Sequence, residues 1–443
     1  MAGRPPLPPG PFLIVGLARS GQAAGHALRA LGEDATGCDA GAIDPAAAGE
    51  LEAAGVAVHE STDGVDLLDG VGTVVKSPGV PQDAAVVRAA RARGVPVIGE
   101  LELGWRLIPN EAIAITGSNG KTTTTELVGQ IHREGGIPVA VAGNVGTPLT
   151  SLAGTLDPAS VVVCEASSFQ LEDTLAFAPD AAVLINLTPD HLDRHGSFDA
   201  YRDAKLRIFA HQDEGAVAVV PAGFERAGAA RRVEFASPMA ARAAEGRADL
   251  VVRDGRLVWR GEPFAAVAEI GLRGVHNVEN AMAAAAVTLA RGIDPKAVRA
   301  ALAGFPGVAH RLEEVARVDG VLYVDDSKAT NVASAVVGIR SFPGGVHAIL
   351  GGRGKGEDYA PLAAAVAERC RAAYLIGEEA GRLGAALAGI PVHECVELER
   401  AVAAARAAAR PGDVVLLSPA CASYDQYRSF EERGDHFKAL VCG

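Results

Sequence analysis

Short apolar runs alternate with Ala-rich amphipathic stretches along nearly the whole chain. PFLIV reads as a strand that enters the Gly-containing turn GLARSG, and the helix pattern after it ends at Gly32. VVKSPGVP, at 74–81, is another strand, closed by a tight Ser-Pro-Gly turn. LELGWRLIPNE reads as a linking helix, and the strand AIAIT follows it. Farther on, VVVCEA (161–166) and AAVLINLT (181–188) repeat the pattern. A third region holds strands at VLYVDDS (321–327), VHAILGG (346–352), AAYLIG (372–377) and VVLLSPA (414–420), with Ala-rich helices between. Continuous apolar runs separated by helical stretches are what strands of a mostly parallel sheet require. The pattern predicts an α/β protein of three units in series, 1–102, 103–306 and 307–443. Stretches 100–110 and 304–309 contain Gly and Pro and are candidate hinges.

Composition narrows the function classes. Hydrophobic residues make up 49% of the 443 and aromatics only 5%, so the cores are expected to be built from Ala, Val and Leu. A net charge of −13 argues against nucleic acid and against docking on an anionic membrane, since both need basic patches. Six cysteines without a C-x-x-C pair fit reduced thiols in the cytoplasm rather than a disulfide frame or a zinc site. The start, MAGRPPLPPGP, is Pro-rich and is expected to be disordered, and no export signal follows it. AMAAAAVTLA, near 281–290, is too short and too Ala-rich for membrane insertion.

Candidate chemistry lies where strands end. ITGSNGKTTTTE, 115–126, resembles a phosphate loop two residues shorter than G-x-x-x-x-G-K-[ST]. A strand, a Gly-rich turn and Lys121-Thr122 opening a helix suit an anion, because backbone N–H groups and a helix N-terminus face it. Thr122 can place its hydroxyl on Mg²⁺. Glu165 ends an apolar strand, where a metal ligand belongs in an open α/β sheet. Asp190, His191 and Asp193 crowd the turn after the next strand, and His191 is a candidate ligand for a second metal. Lys205 follows fourteen residues later, and a plain ammonium there would repel Mg²⁺. Taken alone, Glu165 is as readily a solvated loop carboxylate, His191 is ordinarily a turn hydrogen bonder, and Lys205 is more readily a surface charge. Further polar clusters are GVHNVENAMAA, AHRLE, DDSKATN, GGRGKGEDY and LLSPACASYDQY.

Together these stretches resemble a Mur ligase, one of the ATP-dependent amide-bond ligases of peptidoglycan assembly. GSNGKTT is similar to that family's ATP loop, and NLTPDHLDRH, AKLRI, GVHNVEN and AHRLE extend the match along the chain. DSKATN and SPACASYDQ resemble most closely the branch that adds D-glutamate to UDP-N-acetylmuramoyl-L-alanine. The resemblance implies a Rossmann-like UDP-binding domain, a central mononucleotide-binding ATPase domain and a Rossmann-like C-terminal domain for the amino acid.

Residue roles follow from the matching motifs. Gly117, Ser118, Asn119, Gly120, Lys121, Thr122 and Thr123 would hold ATP, with Asn277 and Asn280 at the adenine. Arg311 and Asp326 would reach the nucleotide from the C-terminal domain, Asp326 at the ribose. Thr122 and Glu165 would ligate one Mg²⁺, and His191 and a carbamylated Lys205 a second; the carbamate removes the charge objection. Ala18, Arg19 and Asp39 would meet the UDP moiety, Asp39 at the uracil, and Ser77 and Gly79 the diphosphate. Asn144, Ser167 and His191 would place the muramoyl substrate, and Thr330, Lys355, Ser418 and Tyr424 would frame D-glutamate. Ala18-Arg19 and the Ala40-Gly41 after Asp39 depart from the family pattern, and Tyr424 replaces an expected Phe. Rival readings are a folylpolyglutamate synthetase, which lacks a separate N-terminal UDP domain, and a P-loop ATPase, which has no use for DSKATN or SPACASYDQ. A nicotinamide dehydrogenase would need G-x-G-x-x-G, which the turn at 16–21 lacks.

Overall fold

The apolar runs pair into three sheets. The computed structural model describes residues 4–224, 228–236, 248–272, 274–354, 356–387 and 389–443. The first sheet holds β1 (Phe12–Val15), β2 (Ala35–Cys38), β3 (Ala57–His59), β4 (Thr73–Lys76) and β5 (Val97–Gly99), in the order β3-β2-β1-β4-β5. All its pairings are parallel, and the order reverses between β1 and β4. A ligand crevice opens at such a reversal, beyond the strand C-termini. Gly16 and Ser77 stand there, and the Ser77 hydroxyl donates to the Gly16 carbonyl at 2.7 Å.

The second sheet holds β6 (Ala112–Thr116), β7 (Val139–Gly143), β8 (Val161–Glu165), β9 (Ala181–Leu184), β10 (Val217–Pro221), β11 (Arg231–Phe235), β12 (Leu250–Arg253), β13 (Arg256–Trp259) and β14 (Glu262–Ala266). Its order is β14-β13-β12-β11-β10-β9-β6-β8-β7, parallel except for the last two pairings at the β14 edge. β6 and β8 are buried at every residue, which is why their sequences read as unbroken apolar runs rather than alternating ones. β6 lies between β8 and β9, pairing Ile115 with Glu165 and Thr116 with Leu184. Three strand ends therefore carry the three candidate motifs side by side.

The third sheet holds β15 (Glu313–Val318), β16 (Val321–Asp325), β17 (Val346–Gly351), β18 (Cys370–Ile376), β19 (Val392–Val396) and β20 (Val414–Leu417), in the order β15-β16-β20-β17-β18-β19. Only the β15–β16 pairing is antiparallel. The β16, β20 and β17 ends again place three polar loops next to one another.

The chain divides into two compact units, Met1–Gly271 with Val275–Phe305, and Leu272–Gly274 with Pro306–Gly443. The first two sheets share one unit. The stretch read as a hinge at 100–110 contains the helix Glu100–Leu107, six of whose eight residues are buried. Its Glu100 accepts from the Thr150 N–H at 2.7 Å, and Glu102 accepts from the Leu175 N–H at 3.1 Å, so the stretch is tied down. One of the breaks between units, Phe305–Pro306, falls within the other candidate hinge, 304–309.

The expectation of a disordered Pro-rich tail fails from residue 4 onward. Arg4 donates to the carbonyls of Trp105 and Asn110 and stacks on the Trp105 ring. The Thr73 hydroxyl donates to the Pro9 carbonyl at 2.8 Å. Proline lowers the entropy of the free tail, and buried carbonyls at the helix end need a donor. Among the described residues, no helix is long and apolar enough to cross a membrane.

Candidate active site

The loop after β6 turns on Gly120, the residue before the helix Lys121–Glu134, which adopts φ +83°. That left-handed conformation favours glycine, and a Cβ there would lie 1.9 Å from the Asn280 amide oxygen. Asn280, one of the two residues expected at the adenine, thus sits against the phosphate loop, and it donates to the amide oxygen of the other, Asn277, at 3.0 Å. Lys121 Nζ donates to the Gly117 and Ser118 carbonyls, each at 3.1 Å, and Thr122 and Thr123 are buried at the helix start.

Asn186, just past β9, holds this loop and was not singled out in the sequence. Its amide oxygen accepts from the Asn119 N–H at 3.0 Å, and its amide nitrogen donates to Glu279 at 2.9 Å. Ser118 shares a 2.9 Å hydrogen bond with Tyr201 and accepts from the Thr188 N–H at 2.9 Å. The only sequence signal for Asn186 is its place at a strand end in NLTPDH.

Lys205 is 1% exposed, and its ammonium donates to the Gly117 carbonyl at 2.8 Å. Burial, then the positive charge of Lys121, push its pKa well below the ordinary lysine range; Asp190 and Glu165 pull the other way. Glu165 is buried at the end of β8. One of its oxygens accepts from Asn144 at 3.0 Å, and the other has no hydrogen-bond partner among the described residues. An ionised carboxylate oxygen buried without a donor is costly unless a cation completes it.

His191 is exposed, at φ +51°, with Nε2 3.5 Å from Asp190 and its ring against Phe169. The Ser167 hydroxyl caps the short helix Ser168–Leu171 by accepting from the Gln170 N–H at 3.3 Å. Lys121, Glu165, Asn144, Asp190 and Lys205 thus form one connected neighbourhood around the loop.

In the first sheet, Asp39 accepts from the Leu17 N–H at 2.8 Å and from the Gly41 N–H at 2.9 Å. It pins the Gly16–Ala18 turn from which the helix Arg19–Ala30 departs. Ser77 is buried in its turn, whereas Gly79 is open enough to accept a Cβ without contact.

The C-terminal unit has its own cluster. Asp326 is 4% exposed, and its oxygens accept from the Ser418 hydroxyl at 2.7 Å and the Leu312 N–H at 3.2 Å. Burial pushes its pKa up to about 7, against the pull of Ser418, Arg311 and Leu312. The structure therefore brings together Arg311, Asp326 and Ser418, which the resemblance divides between nucleotide and amino acid. Arg433, on the last helix just past the LLSPACASYDQY cluster but in no motif of its own, is 1% exposed. It donates to the Ser327 carbonyl at 2.9 Å and the Cys421 carbonyl at 3.2 Å, joining the DDSKATN and SPACASY loops. Thr330 is partly buried beside them and Tyr424 is 64% exposed, while Lys355 lies outside the described residues.

The chain is similar to known proteins in sequence and in fold. Residues 115–288 match the Mur ligase middle domain and 310–421 the Mur ligase glutamate ligase domain. A UDP-N-acetylmuramoylalanine–D-glutamate ligase of Myxococcus xanthus is 44% identical over 443 aligned residues, covering 97% of each chain. One from Koribacter versatilis is 43% identical, covering 97% of this chain and 96% of its own. In fold, a UDP-N-acetylmuramate–alanine ligase of Thermotoga maritima matches with a TM-score of 0.62 at 19% identity, over 97% of this chain and 99% of its own. A MurF ligase of Thermotoga maritima, solved with ADP, matches with a TM-score of 0.58 at 19% identity, over 86% of this chain and 91% of its own. The chain belongs to the Mur ligase family, in the branch of the UDP-N-acetylmuramoylalanine–D-glutamate ligases.

Proposed function

We propose that the chain joins D-glutamate to UDP-N-acetylmuramoyl-L-alanine at the expense of ATP, releasing ADP and phosphate. Its place is the making of peptidoglycan precursors in the cytoplasm. One observation carries the chemistry: a buried lysine, Lys205, pressed against the carbonyl of a phosphate loop and near Glu165, one of whose oxygens has no hydrogen-bond partner among the described residues. The full-length relatives at 43% and 44% identity support the substrates.

A carboxylate does not react with an amine unaided, because its oxygen leaves poorly. The L-alanyl carboxylate attacks the γ-phosphate of ATP and becomes an acyl phosphate, with ADP departing. The neutral amine of D-glutamate then attacks the acyl carbon, and phosphate leaves. The loop N–H groups and Lys121 offset the repulsion of the anions that meet in the first step. Asn277 and Asn280, hydrogen-bonded to each other, would meet the base, and Asn144, which donates to Glu165, would with Ser167 place the muramoyl group.

The donor set suits Mg²⁺, a hard cation that prefers oxygen. Thr122 and Glu165 would hold one ion, the bare Glu165 oxygen being the natural ligand. His191 and Lys205 would serve a second, but an ammonium does not fit. A lysine whose proton is held weakly is a nucleophile toward CO₂, and its carbamate is an anionic oxygen ligand. When bound, the ions would neutralise the phosphates as charge shifts between them.

The UDP-sugar is assigned to residues 1–102, with the turn at Ala18-Arg19, Asp39, Ser77 and Gly79. ATP is assigned to 103–306 and D-glutamate to 307–443, where Thr330, Lys355, Ser418 and Tyr424 would frame it. A cation such as Lys355 pairs well with a side-chain carboxylate. Arg311 and Asp326 would complete the nucleotide site.

The test is phosphate release by the purified protein with Mg²⁺, ATP and UDP-N-acetylmuramoyl-L-alanine, comparing D-glutamate, L-glutamate and no amino acid. Release together with a new amide mass only with D-glutamate supports the reading. Release without any acceptor points to a plain ATPase, and activity with folate and L-glutamate alone would replace the substrates.

A further inference from the structure

The turn Ser77–Val80 is held from outside its own sheet. Its last carbonyl, that of Val80, accepts from Lys76 Nζ of its own strand at 2.8 Å and, from outside the sheet, from Arg194 Nη2 at 3.0 Å. Lys76 ends β4 and is fully buried, paired with Asp173 at 2.9 Å. Asp173 follows the helix Ser168–Leu171 of the second sheet's domain, and Gln82, just past the turn, donates to it at 2.8 Å. Lys76 and Asp173 thus form a fixed pivot between the two sheets of this unit.

Arg194 is the second fastening, and its other end differs. It lies in the short helix Leu192–His195, and its own N–H donates to the His191 carbonyl at 3.1 Å. Its guanidinium covers the Phe169 ring at 4.1 Å, and that ring also contacts His191, with centroids 4.8 Å apart. His195, the last residue of the same helix, is anchored by Glu172 at 2.9 Å and Ser168 at 3.0 Å. One face of Arg194 is therefore packed with the His191 turn, while its fork holds the turn of the first sheet. Among the described residues, Arg194 is the link from this turn to the His191 turn.

We propose that Arg194 is a positioning residue that ties the turn assigned to the UDP-sugar diphosphate to the helix that follows His191. The proposal rests on the reading of Ser77, Gly79 and His191 given above. The physical need is distance control. The diphosphate and the reacting carboxylate lie at opposite ends of one substrate, gripped by two different sheets. An error in the spacing of those grips is transmitted to the carboxylate. Arginine suits the task because its planar group donates a directed hydrogen bond while stacking on an aromatic face, which an ammonium does not match. The turn's own support, Ser77 on Gly16, is independent of Arg194, so UDP binding should survive its loss.

The experiment compares the full-length wild type with Arg194→Ala, Arg194→Lys and Phe169→Leu, the last loosening the guanidinium without removing it. UDP affinity is measured by calorimetry, and kcat and the KM for ATP by phosphate release coupled to amide formation. Expected is a fall in kcat of about 10- to 100-fold for Arg194→Ala, the scale of an ångström-sized misplacement. UDP affinity should stay within about twofold and the KM for ATP should not move, as a fixed-geometry role requires. Arg194→Lys and Phe169→Leu should fall between wild type and Arg194→Ala. An unchanged kcat, or UDP affinity falling by the same factor as kcat, overturns the proposal. Should Arg194→Ala not fold, the two milder variants decide by the same split. A wild type that neither binds UDP nor forms the amide brings down the underlying reading, a result distinct from any of these.

Discussion

At the scale of single residues, environment decides what the side chain is. Lys205 has an ordinary sequence context, yet burial against a carbonyl and beside Lys121 makes its proton easy to lose. Lys205→Ala is expected to lower kcat by about 10²–10³-fold, the cost of removing a group that stabilises transition-state charge. Bicarbonate or a short carboxylic acid should restore part of the activity; a complete lack of rescue would count against a carbamate. Asp326 is a second case. Its folded-state pKa, raised to about 7, lies above that of the unfolded chain, so the native state holds the proton more tightly. Stability from this group is present below the ordinary carboxylate range and is lost as pH rises through about 7. Asn cannot ionise. The melting temperature of Asp326→Asn relative to wild type should therefore climb from about pH 5 to about pH 8. A difference that is flat with pH would show that the carboxyl is not so perturbed.

At the scale of elements, the joints between strand and helix matter more than the elements. The helix Lys121–Glu134 begins at a glycine with φ +83° whose missing Cβ makes room for Asn280. Gly120→Ala combines a left-handed strain of about 1–3 kcal/mol with a collision that shifts Asn280. Its melting temperature should fall, and the KM for ATP should rise by about tenfold or more, since a displaced loop loses several charge-assisted contacts at once. An unchanged KM for ATP would separate this turn from nucleotide binding. The motifs themselves were legible because buried parallel strands read as apolar runs, so the polar residues that interrupt them stand out. Elements without such contrast were not. The antiparallel strands β12 to β14 and the edge strand β19 mix buried and exposed positions, and the edge strand β15 has no buried one. The tail was not legible because its anchors, Arg4 on Trp105 and Asn110, Arg106 on Pro6 and Thr73 on Pro9, all pair it with residues far along the chain.

At the scale of the whole molecule, ligand groups are assigned to both compact units, which differ in what each can hold alone. Closure of one unit on the other is the expected consequence, excluding water from an acyl phosphate that otherwise hydrolyses. Small-angle scattering should show a smaller radius of gyration with a nonhydrolysable ATP analogue and the UDP-sugar than without them. A radius unaffected by ligands would refute closure. The break at Phe305–Pro306 makes 304–309 the place to look for the movement, because the helix Glu100–Leu107 is buried and bonded along its length.

The sequence by itself determined the α/β class, the strand ends that carry chemistry and the family, because these depend on local pattern and on short motifs whose spacing is rigid. Only the tertiary structure decided which of those motifs meet. Asn186 with Asn119, Lys76 with Asp173, Arg194 with Val80 and Arg433 with Ser327 join positions far apart in the chain. No periodicity marks such pairs. A polar side chain looks the same in sequence whether it ends in water or, as Lys205 does, against a buried carbonyl. The difference is set by strand order, which brings distant strand ends to one edge and removes the solvent between them.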